Sequence, residues 1–313
     1  LRRSRNVFFR IALLLLGVYA CSTAVIFIKA TPIDAALLAG YRQLVAAAAL
    51  TPLFLRDLRR CPGRFGGREL RSAVLPGLLL GAHFITWIIG VHKTPAANAS
   101  LIVNMVPVAM PFLMFALVGE RLSRGEAAGT LVALAGVAVM SAWDLKLSSA
   151  YFAGDAMCFA SMLLFALYLA LGRRNQTVPT VWLYVVPVYW IGGAACLLAA
   201  VTHVNPLQPY SGLDVAMILA LGIVPTVVGH SILNYSIKHL RGQVVSVLNL
   251  LQFVFAAVMA LFIYNEVPDW ATYVAGAALV AGSVIVLRAR QGHEAAAAPA
   301  GRTAPSPGQP EPQ

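Results

Sequence analysis

Two histidines stand inside long apolar runs of this 313-residue chain. Each has a partner one helical turn on: Trp87 follows His83 and Asn234 follows His230. Residues four apart on a helix share a face, so each pair makes a stripe. An imidazole there can exchange protons with a substrate or coupling ion, or serve as a hydrogen-bonded core group. Arg42 is the one full charge deep in an apolar run. A central arginine costs about 2.5–3.5 kcal/mol on insertion scales, so it must face protein, water or the interface. It can take a substrate carboxylate, act as a gate, or bond backbone carbonyls as structure. Asn104, Asn249 and Gln252 add amides that need partners on a substrate or another helix. Tyr19, Trp87, Tyr168 and Tyr235 can build an aromatic wall.

This chemistry is that of binding rather than bond making. The acidic residues fall at run ends, in connections or in the tail, where capping and dipole complementation explain them, so an intramembrane carboxylate relay is missing. There is no HExxH zinc motif and no GxSG serine motif; in "GHSI" (229–232) the histidine and serine are adjacent and point apart. The expectation is no enzyme, no metal and no cofactor. Cys21, Cys61, Cys158 and Cys196 form no CxxC pair and read as reduced structural thiols.

The elements that must position these groups are transmembrane helices. The chain is 59% hydrophobic and 11% charged, with mean hydropathy +0.77; soluble domains carry about 25% charged residues. Ten apolar runs are long enough to span a bilayer: 7–28, 33–55, 72–92, 96–117, 124–143, 151–171, 180–201, 214–237, 243–264 and 269–288. Lipid offers the backbone no partner, so they must be helices. The net charge of +11 does not signal nucleic acid, because 19 of the 23 Lys and Arg lie on one side of the expected topology. That bias puts both termini in the cytoplasm. "VYAC" before Ser22 loosely resembles a lipoprotein cleavage site, but the run continues to Ile28, long enough to span, and is expected to stay as a helix. The Ala/Pro-rich stretch 291–313 is expected to be a disordered cytoplasmic tail.

A repeat divides the chain. At a shift of 146 residues Glu120 meets Glu266, Ser123 meets Asp269 and Gly136 meets Gly282; at 147, His83 meets His230. The halves, 1–146 and 147–290, hold five runs each. Five is odd, so the second half must be inverted, an architecture of secondary transporters with the substrate near mid-membrane. "SRGE" (123–126) reads as a capping box and Asp269 as the matching cap. Gly129 and its small neighbours make a close-packing face. Glu120, Ser123, Gly129, Gly136, Glu266, Asp269 and Gly282 are therefore expected to be scaffold.

These segments resemble the drug/metabolite transporter superfamily in its ten-helix EamA-like form. The carriers are "GERLSRGEAAGTLVALAGVAVM" (119–140), "NEVPDWATYVAGAALVAGSVIVL" (265–287), "LLLLGVYACSTAVIFIKA" (13–30), "AGYRQLVAAAAL" (39–50), "AANASLIVNMVPVAMPFLM" (96–114) and "AGDAMCFASMLLFALYLALGRR" (153–174). Two departures stand out. Phe253 occupies the place where the family has a proline matching Pro107, and Leu16-Gly17 replaces a tryptophan-glycine. The resemblance implies an all-α bundle of ten transmembrane helices in two inverted repeats around a central cavity. That cavity would be lined mainly by helices three, four, eight and nine. It further implies a bacterial inner-membrane carrier, monomeric or homodimeric, that exports or exchanges small polar metabolites by alternating access. Amino acids and related zwitterions fit a single deep cation better than phosphate esters do. Proton coupling through a histidine is one expectation. A carrier of nucleotide derivatives or drug-like cations, a channel and an intramembrane enzyme are the alternatives.

Overall fold

The computed structural model describes residues 2–94, 96–144, 150–175, 178–264 and 270–296, and among these every regular element is helical. In chain order they are α1 (Arg2–Ser22), α2 (Ala24–Lys29), α3 (Ala35–Arg60), α4 (Gly67–Lys93), α5 (Ala96–Val103), α6 (Val106–Val118), α7 (Arg124–Asp144), α8 (Phe152–Arg174), α9 (Val181–Ala200) and α10 (Gly212–Leu221). A π-helical turn, Gly222–His230, leads into α11 (Ser231–His239), followed by α12 (Gly242–Asn249), α13 (Gln252–Tyr264) and α14 (Trp270–Ala296). Seven helical stretches of the described residues are long and apolar enough to cross a membrane, and Gly242–Ala256 and Tyr273–Ala289 are shorter apolar helices. α7, 21 residues long, fills the run at 124–143. Glu266 and Asp269 lie outside the described residues. α14 runs six residues into the stretch expected to be tail, and residues 297–313 also lie outside.

Several runs expected to be continuous are interrupted. α1 gives way to α2 at Thr23, where the Ser22 and Thr23 hydroxyls donate to the Tyr19 and Ala20 carbonyls at 2.6 and 2.8 Å. α5 stops before Asn104, whose amide donates to the Ser100 carbonyl at 2.7 Å; Pro107 follows in the first turn of α6. α12 stops at Asn249, close to the point related to Asn104 by the repeat shift, although Phe253 stands there in place of proline.

Interior prolines leave carbonyls without their helical donor, and neighbouring segments supply replacements. Pro76 frees the Ser72 carbonyl, which accepts from Asn175 at 3.1 Å. Pro111 frees the Pro107 carbonyl, which accepts from Gln243 at 3.4 Å. At Pro225 the chain takes the π-helical register, and the Thr226 hydroxyl donates to the Leu221 carbonyl at 2.7 Å.

Helices α7 and α14 pack together, as do α3 and α9, and three further contacts come in exchanged pairs. α4 on α8 is matched by α1 on the π turn and α11, α4 on α9 by α3 on the π turn, and α6 on α8 by α1 on α13. Gly129 and Gly282 permit the α7–α14 approach: a Cβ on either would lie 2.5–2.6 Å from the other's carbonyl oxygen. Gly136 abuts Ala275 and Ala278 in the same seam.

The arginine-rich end is tied by ion pairs. Arg241 Nε lies 2.6 Å from the Glu126 carboxylate and 3.2 Å from that of Glu120, and Arg173 Nε lies 3.5 Å from Glu120. Arg241 also donates to the Arg121 carbonyl at 2.5 Å. Glu126 closes the cap of α7 with Ser123, each backbone N–H donating to the other's side chain at 2.9 and 3.2 Å.

Candidate functional site

A narrow cavity of about 40 Å³ lies where α1–α5, α8, the π turn and α13 converge. A second space of about 20 Å³ adjoins it, with Trp87, Asn104 and Gln252 lining both. The walls combine one guanidinium, two imidazoles, two amides and a set of aromatic rings.

Arg42 is fully buried on α3. Its Nε–H donates to Thr226 Oγ1 at 3.1 Å, and the guanidinium carbon lies 3.9 Å from the centre of the Phe84 ring. Both terminal nitrogens, Nη1 and Nη2, lack a protein acceptor. Among the described residues no carboxylate lines the cavity. The result is a positive fork, with one edge held by Thr226 and one face by Phe84, whose remaining donors are uncommitted. That geometry suits a planar anion such as a carboxylate.

His83 and His230 come together from α4 and the π turn, with ring centres 6.3 Å apart. Phe84 and Phe165 pack between and around them: Phe165 stacks on His83 at 4.7 Å and meets His230 edge-on at 5.4 Å. His83 Nδ1 is 3.0 Å from the Ser161 carbonyl and 2.8 Å from the Ser161 hydroxyl, which also lies 3.0 Å from the His83 carbonyl. His230 Nδ1 is buried and has no protein partner.

The amides form a chain. Gln252 donates to Asn249 at 2.7 Å, Asn249 to Asn104 at 3.2 Å, and Asn104 to the Ser100 carbonyl. This chain links the two helix interruptions across the bundle. Asn249 therefore supports the lining amides from behind. Asn234 and Tyr168 also sit behind the wall: the Asn234 amide donates to the Tyr168 hydroxyl and to the His230 carbonyl.

Of the residues singled out in the sequence, Arg42, His83, Trp87, Asn104, His230 and Gln252 meet at the cavity. Tyr19 does not join them; it is 45% exposed and packs edge-on against Phe255. Tyr235 packs at a tilt against His239, 4.2 Å between ring centres, away from the lining. Sequence reasoning missed Phe84, Phe165 and Thr226. Thr226 carried a usable signal, standing four residues before His230 on the stripe that Asn234 continues. Phe84 and Phe165 carried none, because phenylalanine is unremarkable in an apolar run.

The profile of the EamA-like transporter family matches residues 8–142 and again 152–288. A protein of Streptantibioticus cattleyicolor named a probable terminal-alkyne amino-acid exporter is 28% identical over 301 residues, covering 90% of this chain and 96% of that protein. The aromatic amino acid exporter YddG of Ancylobacter novellus is 28% identical over 216 residues, covering 67% of this chain and 72% of its own length. One solved crystal structure superposes with a TM-score of 0.74 at 20% identity, covering 90% of this chain and 98% of its own. That likeness concerns the fold.

Proposed function

This chain belongs to the EamA-like transporter family as an integral protein of the bacterial inner membrane, and from that premise we propose that it exports amino acids, binding the carboxylate at Arg42. The carrying observation is the Arg42 fork: fully buried beside the cavity, clamped by Thr226 and Phe84, with both Nη groups lacking a protein acceptor. A substrate carboxylate supplies the bidentate acceptor that the lining lacks. Phe84, Phe165, Trp87 and the two imidazoles surround that point, which favours amino acids with aromatic or extended apolar side chains. The α-ammonium group is left to the ring faces and to the oxygens of Asn104 and Gln252. Two relatives named as amino-acid exporters support the same substrate class.

Transport is by alternating access between two inverted five-helix halves. The exchanged helix contacts and the family profile, which matches once in each half, support this arrangement. The arginine-rich end is the cytoplasmic one. Its ion pairs between Glu120 and Glu126 of the first half and Arg173 and Arg241 of the second close the cavity on that side. Loading from the cytoplasm breaks them. His230, whose Nδ1 has no protein partner, is the imidazole left to hydrogen-bond substrate.

Radiolabel counterflow tests the reading. Proteoliposomes holding the purified protein are preloaded with one unlabelled compound and assayed for uptake of labelled L-phenylalanine. Preloaded aromatic and apolar amino acids should drive accumulation, while sugars and cationic drugs should not. No counterflow with any amino acid would overturn the proposal.

A further inference from the structure

We propose that Thr226 is a positioning residue for transport, which aims the Arg42 fork and so sets the preference for carboxylate substrates. The inference rests on the reading of Arg42 given above. An arginine on its long flexible stem does not hold an orientation unaided. Here two groups fix it: the Phe84 ring on its face and Thr226 Oγ1 at Nε. Only an acceptor serves at the Nε edge, and the Thr226 hydroxyl is committed to that role. Its own proton goes to the Leu221 carbonyl, so its oxygen lone pairs face Arg42. Tyr189 steadies the segment by donating to the Thr226 carbonyl at 3.3 Å. With Nε occupied, the end of the guanidinium bearing Nη1 and Nη2 is the part left for a ligand, and that end matches the two oxygens of a carboxylate. The π-helical turn thus has a specific use. It places Thr226 against Arg42 while His230 at its end still reaches the cavity.

The test compares Thr226→Val, which keeps the shape and removes the acceptor, with Thr226→Ser, which keeps the hydroxyl. Each is reconstituted and assayed for L-phenylalanine counterflow, with L-phenylalaninamide as a competitor lacking the carboxylate. Thr226→Val should raise the KM for phenylalanine about tenfold, with the maximal rate changed much less, as loss of a charge-assisted interaction implies. Its inhibition constant for the amide should stay at the wild-type value, and Thr226→Ser should restore the wild-type preference. If Thr226→Val is not monodisperse after purification, Thr226→Ala carries the same comparison. Equal changes for acid and amide, or an unchanged KM, would overturn the proposal. Arg42→Gln, run in parallel, separates the two claims. If it raises the KM while Thr226→Val does not, only the role of Thr226 falls. If Arg42→Gln leaves the KM alone, or the wild type carries no phenylalanine, the Arg42 reading falls and this proposal with it.

Discussion

The two histidines differ in how much of their bonding the protein already supplies. His83 spends Nδ1 on Ser161, whose hydroxyl also lies 3.0 Å from the His83 carbonyl, and this locks α4 to α8. An asparagine places an amide near the Nδ1 position and a leucine does not. His83→Asn is therefore expected to keep most of the counterflow rate and its pH profile. His83→Leu removes the side-chain bond between α4 and α8, a loss of about 0.5–1.5 kcal/mol, and should lower the thermal unfolding temperature in detergent. A pH profile that flattens in His83→Asn would instead mark the imidazole as a proton carrier. Much of this was legible from the sequence, because polar residues in apolar runs are costly and few. Arg42, His83, His230, Asn104 and Gln252 announced themselves on that ground and do share one cavity. The rings between them were not legible: an apolar side chain costs nothing to place anywhere in such a run, so its position carries no information. Tyr19 and Tyr235 misled for the related reason that a tyrosine is satisfied equally at a wall, an interface or a helix flank.

Hydropathy located the helices, because each must hide its own backbone, but it did not locate their interruptions. The break after Asn249 has no proline to signal it and is bridged by the Asn104–Asn249–Gln252 amide chain, a tertiary feature. The stretch at 118–137, read as scaffold, contributes Glu120 and Glu126 to the ion pairs that bind the halves at the arginine-rich end. Glu126 is fully buried there, and removing one partner of a buried pair leaves the other uncompensated. Glu126→Gln should therefore favour the conformation open at that end. A cysteine placed at Val103, which lines the cavity, in a background lacking the native cysteines, should then react several-fold faster with a membrane-impermeant maleimide applied from the cytoplasmic side. An unchanged rate would remove these ion pairs from the closure. The α7–α14 seam responds differently. Gly129→Val sets a branched side chain against the Gly282 carbonyl, overpacking that typically costs about 1–3 kcal/mol, and should lower the unfolding temperature without altering substrate selectivity.

At the scale of the whole molecule, the proposed inversion would give a charged turn in one half a less charged copy in the other, because it puts only one of the two at the cytoplasmic side. The same inversion would account for His83 and His230, far apart in the chain, lying with ring centres 6.3 Å apart. It would also account for the pairing of α7 with α14 and of α3 with α9. A sparse repeat in the sequence was enough to suggest this, whereas substrate identity depends on the geometry of a few side chains around Arg42. That point is open to one measurement: the counterflow of L-phenylalanine against that of L-phenylalaninamide in proteoliposomes of wild-type protein and Arg42→Gln. The wild type should prefer the acid by roughly tenfold or more, the value of a charge-assisted hydrogen-bonded pair, and Arg42→Gln should erase the preference by weakening the acid alone. An undiminished preference in Arg42→Gln would contradict a carboxylate site at Arg42.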